Sequence, residues 1–309
     1  MNSEKETFQQ KNIARKSLFY RLSQFVGFLL GARVFVAVLL TFALYVSTFF
    51  LFNQEESLRK FVFDFKVHGI IFCTVLTILA GGIINQFYDF EKDHIVKPFR
   101  TRIQSFIKQK YFLYVYLFLS IISLGVAWFI SHRVFLFFVI YQFFMWFYSH
   151  KLSRILVLNN LTFVSLTLYP FFGMMVYYET FSLKVFLMAI FLFLILLCID
   201  IVKDTLTKSV DKAFGYTTIP NYYKNKTTKI IIISLLIFTM AVSMKLIIRT
   251  GISGFMAYYF SGGLFVMVVC IYLLLNFSRK SKFVTLNILR FWVFVGIIAM
   301  LLSGIEGNL

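Results

Sequence analysis

Along most of the 309-residue chain, long apolar runs alternate with short polar stretches. A helix needs roughly 20 mostly apolar residues to cross the hydrocarbon core of a bilayer. Nine segments approach that length: 25–52, 67–88, 111–130, 134–149, 161–178, 183–201, 230–248, 254–276 and 284–303. The first carries Arg33 and is long enough to include an interfacial entry helix, whereas the fourth is short. The pattern predicts an all-α, polytopic membrane protein with about nine transmembrane helices in one bundle. A basic arm over 1–24 would precede a single transmembrane domain over 25–309. The arm is polar and leads straight into a long span, so no cleavable signal is expected. No internal repeat stands out.

The stretches between the runs alternate in charge. Lys and Arg number 5 in the N-terminal arm, 6 in 89–110, 2 in 150–155, 6 in 202–229 and 3 in 277–283. The intervening stretches carry 3 in 53–66 and then one each at Arg133, Lys184 and Arg249, so one side holds 22 and the other 6. Arg33, Lys245 and Arg290 fall within spans. The positive-inside rule places the N-terminus in the cytoplasm and the C-terminus outside, in what is expected to be a bacterial inner membrane. A formal charge of +18 invites a nucleic-acid reading. Because these bases sit in clusters between apolar runs, topology accounts for most of them and a lipid bilayer, not nucleic acid, is the expected partner.

Composition narrows the class further. With 60% hydrophobic, 20% aromatic and 14% charged residues, including 42 Phe, the chain is too apolar for a soluble enzyme or a disordered segment. Cys73, Cys198 and Cys270 all lie inside apolar runs without metal-ligand spacing and read as small hydrophobes.

Acidic residues are scarce, so their grouping carries information. Six of the 13 form two groups on the expected cytoplasmic face: Asp89, Glu91 and Asp93 after span two, and Asp200, Asp204 and Asp211 after span six. Asn85, Asp89 and Asp93 are spaced i, i+4, i+8, so a continuing helix stacks them a turn apart on one face. Two carboxylates and an amide oxygen so arranged suit Mg²⁺, which takes one or two carboxylates and fills its shell with waters and substrate phosphates. The alternative is a solvated helix end whose acids balance Lys92, Lys97 and Arg100. Asp200, Asp204 and Asp211 again fall near one helical face. The first two directly follow the apolar run 188–199, where an unpaired carboxylate is costly. Two acidic groups at one end of a bundle, with bases between them and apolar spans beneath, suit a lipid diphosphate bridged by Mg²⁺.

These residues resemble the UbiA superfamily of intramembrane prenyltransferases over most of the chain. Asn85, Asp89 and Asp93 match the family's N-x-x-x-D-x-x-x-D motif after span two, and Val96-Lys97-Pro98-Phe99-Arg100 resembles its N-K-P-x-R segment. Tyr148-Ser149 with Lys151 resembles its Y-S-x-x-K segment. Lys203-Asp204 through Asp211, Gly215, Thr218 and Pro220 resembles K-D-x-x-D-x-x-x-D-x-x-x-G-x-x-T-x-P. One departure stands out: Thr207 occupies the position of the second motif's first aspartate. Asp200 and Asp204 could form a displaced pair. Asp204 and Asp211 could instead share a metal with help from Thr207, or the second metal site could be weakened.

The resemblance implies transfer of a prenyl group from a prenyl diphosphate to a hydrophobic acceptor, releasing pyrophosphate. Asn85, Asp89 and Asp93 would hold one Mg²⁺, and Asp204 and Asp211 the other; these four aspartates would be the catalytic residues. Arg100, Tyr148, Lys151 and Lys203 would contact the diphosphate, unless the bases serve only as topology signals and Tyr148 only as an interfacial aromatic. The Lys-Asp extension and Lys97-Pro98 lean toward the glycerol-phosphate and homogentisate branches. Two other readings remain at this point: a non-catalytic prenyl-lipid binder, motivated by Thr207, and a transporter of an anionic lipid.

Overall fold

The computed structural model describes residues 32–53, 57–99, 101 and 108–307, together with Leu22, 25–27 and 29–30. All regular structure among the described residues is helical. Helix α1 (Val34–Ser47) runs into a π-helical turn at Thr48–Phe52 and is followed by the short α2 (Leu58–Val62). Then come α3 (Phe65–Tyr88), α4 (Phe90–Val96), α5 (Gln109–Ile130) and α6 (His132–His150). A 3₁₀ turn at Leu152–Arg154 leads to α7 (Leu158–Tyr177), α8 (Leu183–Ala213), the one-turn α9 (Ile219–Tyr222), α10 (Asn225–Arg249), α11 (Gly254–Asn276) and α12 (Arg279–Ile305). Eight of the helices are long and apolar enough to cross a membrane, counting α1 with its π turn as one. The chain is therefore an integral membrane protein. The fourth expected span, 134–149, is also helical, as α6, but His132, Arg133, Gln142 and His150 dilute that helix's apolar character. The three cysteines are buried and free.

The chain divides into two compact units. One comprises the described residues up to Leu39 with Phe72–Gln142, and the other Leu40–Ile71 with the described residues from Phe143 onward. In the first unit, Ala32, Ile83 and Phe112 form a buried cluster against Leu79, Val115 and Leu119. Its helices are also tied by buried hydroxyls and an amide. Ser123 Oγ donates to the Cys73 carbonyl at 3.1 Å and lies 3.1 Å from Thr77 Oγ1. Gln142 Nε2 donates to the Ser120 carbonyl at 3.3 Å. Between apolar helices such bonds contribute modestly, about 0.6 kcal/mol on average, but they fix rotation and register.

In the second unit α8 packs against α7, α9, α10 and α12. It is 31 residues long, or about 46 Å at 1.5 Å per residue, against a hydrocarbon core of about 30 Å. The helix thus runs well past the apolar segment 183–201. Its end is built by Gly215, whose φ of +73° suits glycine. The Gly215 N–H bonds the Lys212 carbonyl and the Tyr216 N–H bonds the Asp211 carbonyl at 2.9 Å, a Schellman closure. The glycine four residues after Asp211 is therefore a helix terminator.

Helices α11 and α12 meet through an aromatic box. Tyr259 stacks on Trp292 with centroids 5.1 Å apart and meets Phe191 and Phe260 edge-on. A Cβ added at Gly296 would fall 2.7 Å from the Tyr259 ring and hydroxyl. The ring is hemmed in on its other sides, so Gly296→Ala is expected to cost about 1–3 kcal/mol by overpacking. Thermal unfolding in detergent measures this, and an unchanged melting temperature would mean that Tyr259 has room to retreat.

Candidate functional site

The first acidic group lies where α3 meets α4. Asp89 occupies a single-residue turn between the two helices, with φ −95° and ψ 8°. The hydrogen-bond ladder runs through this interruption. The Asp89 N–H bonds the Asn85 carbonyl at 2.9 Å, that of Asp93 bonds Asp89 at 2.8 Å, and that of Lys97 bonds Asp93 at 2.8 Å. The residues 85, 89, 93 and 97 therefore keep their one-turn spacing. Asn85 Nδ2 donates to Asp89 Oδ2 at 3.0 Å, and Lys97 Nζ reaches both oxygens of Asp93 at 3.0 and 3.2 Å. Asp93 is 4% exposed. The charge balance by Lys97 expected of a solvated helix end is present, yet the carboxylate it serves is buried.

The second group lies on α8 within the second unit. Asp200, Asp204 and Asp211 are 3%, 6% and 1% exposed, and all sit on one unbroken helix. Lys203 bonds Asp200 Oδ1 and lies 3.6 Å from Asp204 Oδ1, so Asp200 and Asp204 share its ammonium. That ammonium also stands 5.1 Å from the Phe163 ring centroid, a favourable cation–π distance. Asn160, fully buried at the start of α7, donates from Nδ2 to Asp200 Oδ2 at 2.7 Å and to Asp204 Oδ2 at 2.9 Å. Asn159 Nδ2 lies 3.5 Å from the same Asp204 oxygen. Asp211 accepts from Thr207 Oγ1 at 2.6 Å. The threonine thus spends its proton on the carboxylate one turn along.

The other sequence-predicted residues divide. Tyr148, on the last turn of α6, lies 6.1 Å from the Phe163 ring and within electrostatic reach of Lys203. Lys151 is exposed just past the end of α6. Arg100 lies outside the described residues. Two participants escape a sequence reading based on charge, and a third shows its charge but not its role. Asn159 and Asn160 carry no charge, and an asparagine at the mouth of a span is commonplace. Arg290 was legible only as a charge within a span; its guanidinium is within electrostatic reach of Asp200. Arg154, in the 3₁₀ turn before α7, stands 5.4 Å from the Tyr216 ring centroid, and its carbonyl accepts the Thr217 N–H at 3.0 Å.

No group of three or more His, Cys, Asp or Glu that could hold a metal occurs among the described residues. Mg²⁺ needs no such group, since one or two carboxylates suffice when waters and phosphates complete the shell. The Asp200–Asp204 pair supplies hard oxygens. Asn160 Oδ1 beside it is buried without a hydrogen-bond partner, an acceptor that a ligand water would satisfy. The donor set fits a hard divalent cation.

Membrane-length helices carrying two aspartate groups define a class, and comparison with known proteins places the chain in it. The profile of the UbiA prenyltransferase family matches residues 57–295, and the chain belongs to that family. Digeranylgeranylglyceryl phosphate synthase of Pyrococcus furiosus is 31% identical over 170 residues, covering 54% of this chain and 61% of that one. The match thus spans somewhat under two thirds of that relative's length. Among solved structures, one of a digeranylgeranylglyceryl phosphate synthase is 19% identical with a TM-score of 0.69, covering 92% of this chain and 99% of that one. A UbiA homolog from Aeropyrum pernix K1 is 15% identical with a TM-score of 0.65, covering 87% and 97%. A UbiA homolog from Archaeoglobus fulgidus bound to GPP and Mg²⁺ is 13% identical with a TM-score of 0.62, covering 89% and 99%. At these identities the structural likeness establishes the fold.

Proposed function

We propose that the chain transfers a prenyl group from a prenyl diphosphate to a hydrophobic, membrane-soluble acceptor, with Mg²⁺ as cofactor and pyrophosphate released. The observation that carries this reading is the buried Asp200–Asp204 pair, which shares one lysine and one asparagine amide instead of being neutralised residue by residue. Buried carboxylates so under-compensated are costly, and such a cost is characteristic of a site waiting for a cation. An acceptor carrying a glycerol phosphate is supported by the Pyrococcus furiosus relative's name and by the Lys203-Asp204 and Lys97-Pro98 pairs. The bias of 22 bases to 6 supports a cytoplasmic N-terminus, cytoplasmic acidic groups and an external C-terminus in the cell's inner membrane.

Bound Mg²⁺ supplies the positive charge that offsets the charge building on a leaving diphosphate. Asn85, Asp89 and Asp93 would hold one ion; Asp204 and Asp211, with Asp200, would hold the other. Lys203 and Lys151, and by the family resemblance Arg100, would donate charge-assisted hydrogen bonds to outer phosphate oxygens. The Phe163 ring centroid stands 5.1 Å from the Lys203 ammonium, and the Tyr148 ring lies 6.1 Å from that of Phe163. The apolar faces of the spans keep water from the allylic centre, so that the acceptor and not water captures it.

A second reading, a prenyl-lipid binder without turnover, is favoured by Thr207 alone. Titration of the detergent-purified chain with a non-hydrolysable geranylgeranyl diphosphate analogue, with and without Mg²⁺, separates the two. Binding that requires Mg²⁺ supports the transferase; binding indifferent to Mg²⁺ supports the binder; and absence of binding at any Mg²⁺ level contradicts both. Thr207→Asp is expected to preserve or raise turnover, because it restores a carboxylate where the hydroxyl now only donates to Asp211. A tenfold loss in that variant would show that the threonine's proton is needed by Asp211.

A further inference from the structure

We propose that Asn160 is a positioning residue that clamps Asp200 and Asp204 into one cation-ready pair without consuming their charge. This deepens the reading above and rests on it for the identity of the cation. Both amide protons of Asn160 are spent on carboxylate oxygens, at 2.7 Å to Asp200 and 2.9 Å to Asp204. That double donation fixes the orientation of the amide, since the carbonyl end could not bond either carboxylate. The two carboxylates lie one helical turn apart, so a single amide bridging them holds both side chains in one arrangement. An arginine or lysine in the same place would donate as well but would neutralise the pair and compete with a metal. A neutral donor organises the oxygens and leaves their charge intact.

The neighbouring backbone is shaped to deliver this amide. Val157, capping α7, has φ +65°, a region that β-branched residues rarely enter. The Asn160 N–H is taken by Asn159 Oδ1 at 2.7 Å, and Asn159 Nδ2 approaches Asp204 in turn. A strained turn, two consecutive asparagines and two carboxylates thus form one closed arrangement; strain of this kind persists where the surroundings over-determine it. The one polar atom left over is Asn160 Oδ1, buried and without a hydrogen-bond partner.

The test uses the full chain in detergent, with Mg²⁺ alone and with the geranylgeranyl diphosphate analogue as probes. Asn160→Ala is expected to need roughly 10–100-fold more Mg²⁺ for half-maximal analogue binding, the usual effect of removing a group that orients metal ligands. Asn160→Asp places a third carboxylate against the pair. Its melting temperature should fall in EDTA and recover on adding Mg²⁺, by more than any Mg²⁺ shift of the unsubstituted chain. A merely structural asparagine would give no such metal-dependent rescue, and the Asn160→Asp arm stands even if the alanine variant fails to fold. Wild-type Mg²⁺ dependence in Asn160→Ala, or equal melting of Asn160→Asp in EDTA and Mg²⁺, would overturn the assignment. If the unsubstituted chain binds no analogue while Asn160→Asp still shows Mg²⁺-dependent melting, the substrate reading fails and the assignment of Asn160 stands.

Discussion

Asp204→Asn is expected to lower prenyl transfer roughly 1,000-fold, about 4 kcal/mol of transition-state stabilisation, while leaving metal-free stability unchanged or raised. The two halves of this result have one cause. Asp204 is buried beside Asp200, and the pair shares a single ammonium and a single asparagine amide. In the resting protein the second negative charge is a liability, because buried like charges within a helical turn repel. Asparagine keeps the shape and a carbonyl oxygen for the Asn160 amide but removes that repulsion. On the proposed mechanism the same charge would hold a cation against the diphosphate in turnover. Sites kept for function at a cost to stability behave in this way. Initial rates with labelled prenyl diphosphate, together with thermal unfolding in EDTA, give both quantities. Activity within tenfold of the unsubstituted chain would remove Asp204 from the mechanism. Lost activity accompanied by a large drop in melting temperature would make it a structural residue instead.

The membrane-spanning helices were legible because lipid imposes a simple rule, about 20 apolar residues per crossing. The expected 254–276 coincides with α11, and 67–88 and 111–130 fall within two residues of α3 and α5. The rule fails where lipid stops being the solvent. Hydropathy ends α8 near residue 201, but the helix continues to Ala213, because past that point it is held by packing and by the Gly215 closure. The carboxylates were found because a charge in an apolar chain is conspicuous. The partners that organise them were not. Asn160 is neutral, its neighbours in sequence are unremarkable, and its partners Asp200 and Asp204 lie 40 and 44 residues away. The role of Thr207 was likewise open: the sequence shows a missing aspartate, and only the 2.6 Å bond to Asp211 shows where its hydroxyl went.

Lys203→Met is expected to move two affinities in opposite directions, and this is the sharpest test of how the second group works. Methionine keeps most of the aliphatic stem beside Phe163 while deleting the ammonium. In the metal-free chain that ammonium bonds Asp200 and stands 3.6 Å from Asp204, on the same oxygens a metal would use. At an effective dielectric near 20, a pair of unit charges at about 4 Å is worth about 4 kcal/mol before desolvation and side-chain ordering are subtracted. Most of that is offset for a lysine whose side chain is 41% exposed. A net gain of roughly tenfold in affinity for Mg²⁺ alone, about 1.4 kcal/mol, is the expected remainder. Affinity for the prenyl diphosphate analogue at saturating Mg²⁺ should fall instead, by roughly tenfold or more, because a charge-assisted donor to phosphate is gone. Isothermal titration with Mg²⁺, then with analogue, measures each in turn. Weaker binding of both would make Lys203 a structural counter-ion to the site. Tighter metal binding with unchanged analogue binding would mean that the ammonium never leaves the aspartates. The opposed signs are the mark of a lysine that holds the carboxylates for a cation and passes to the phosphates when it arrives.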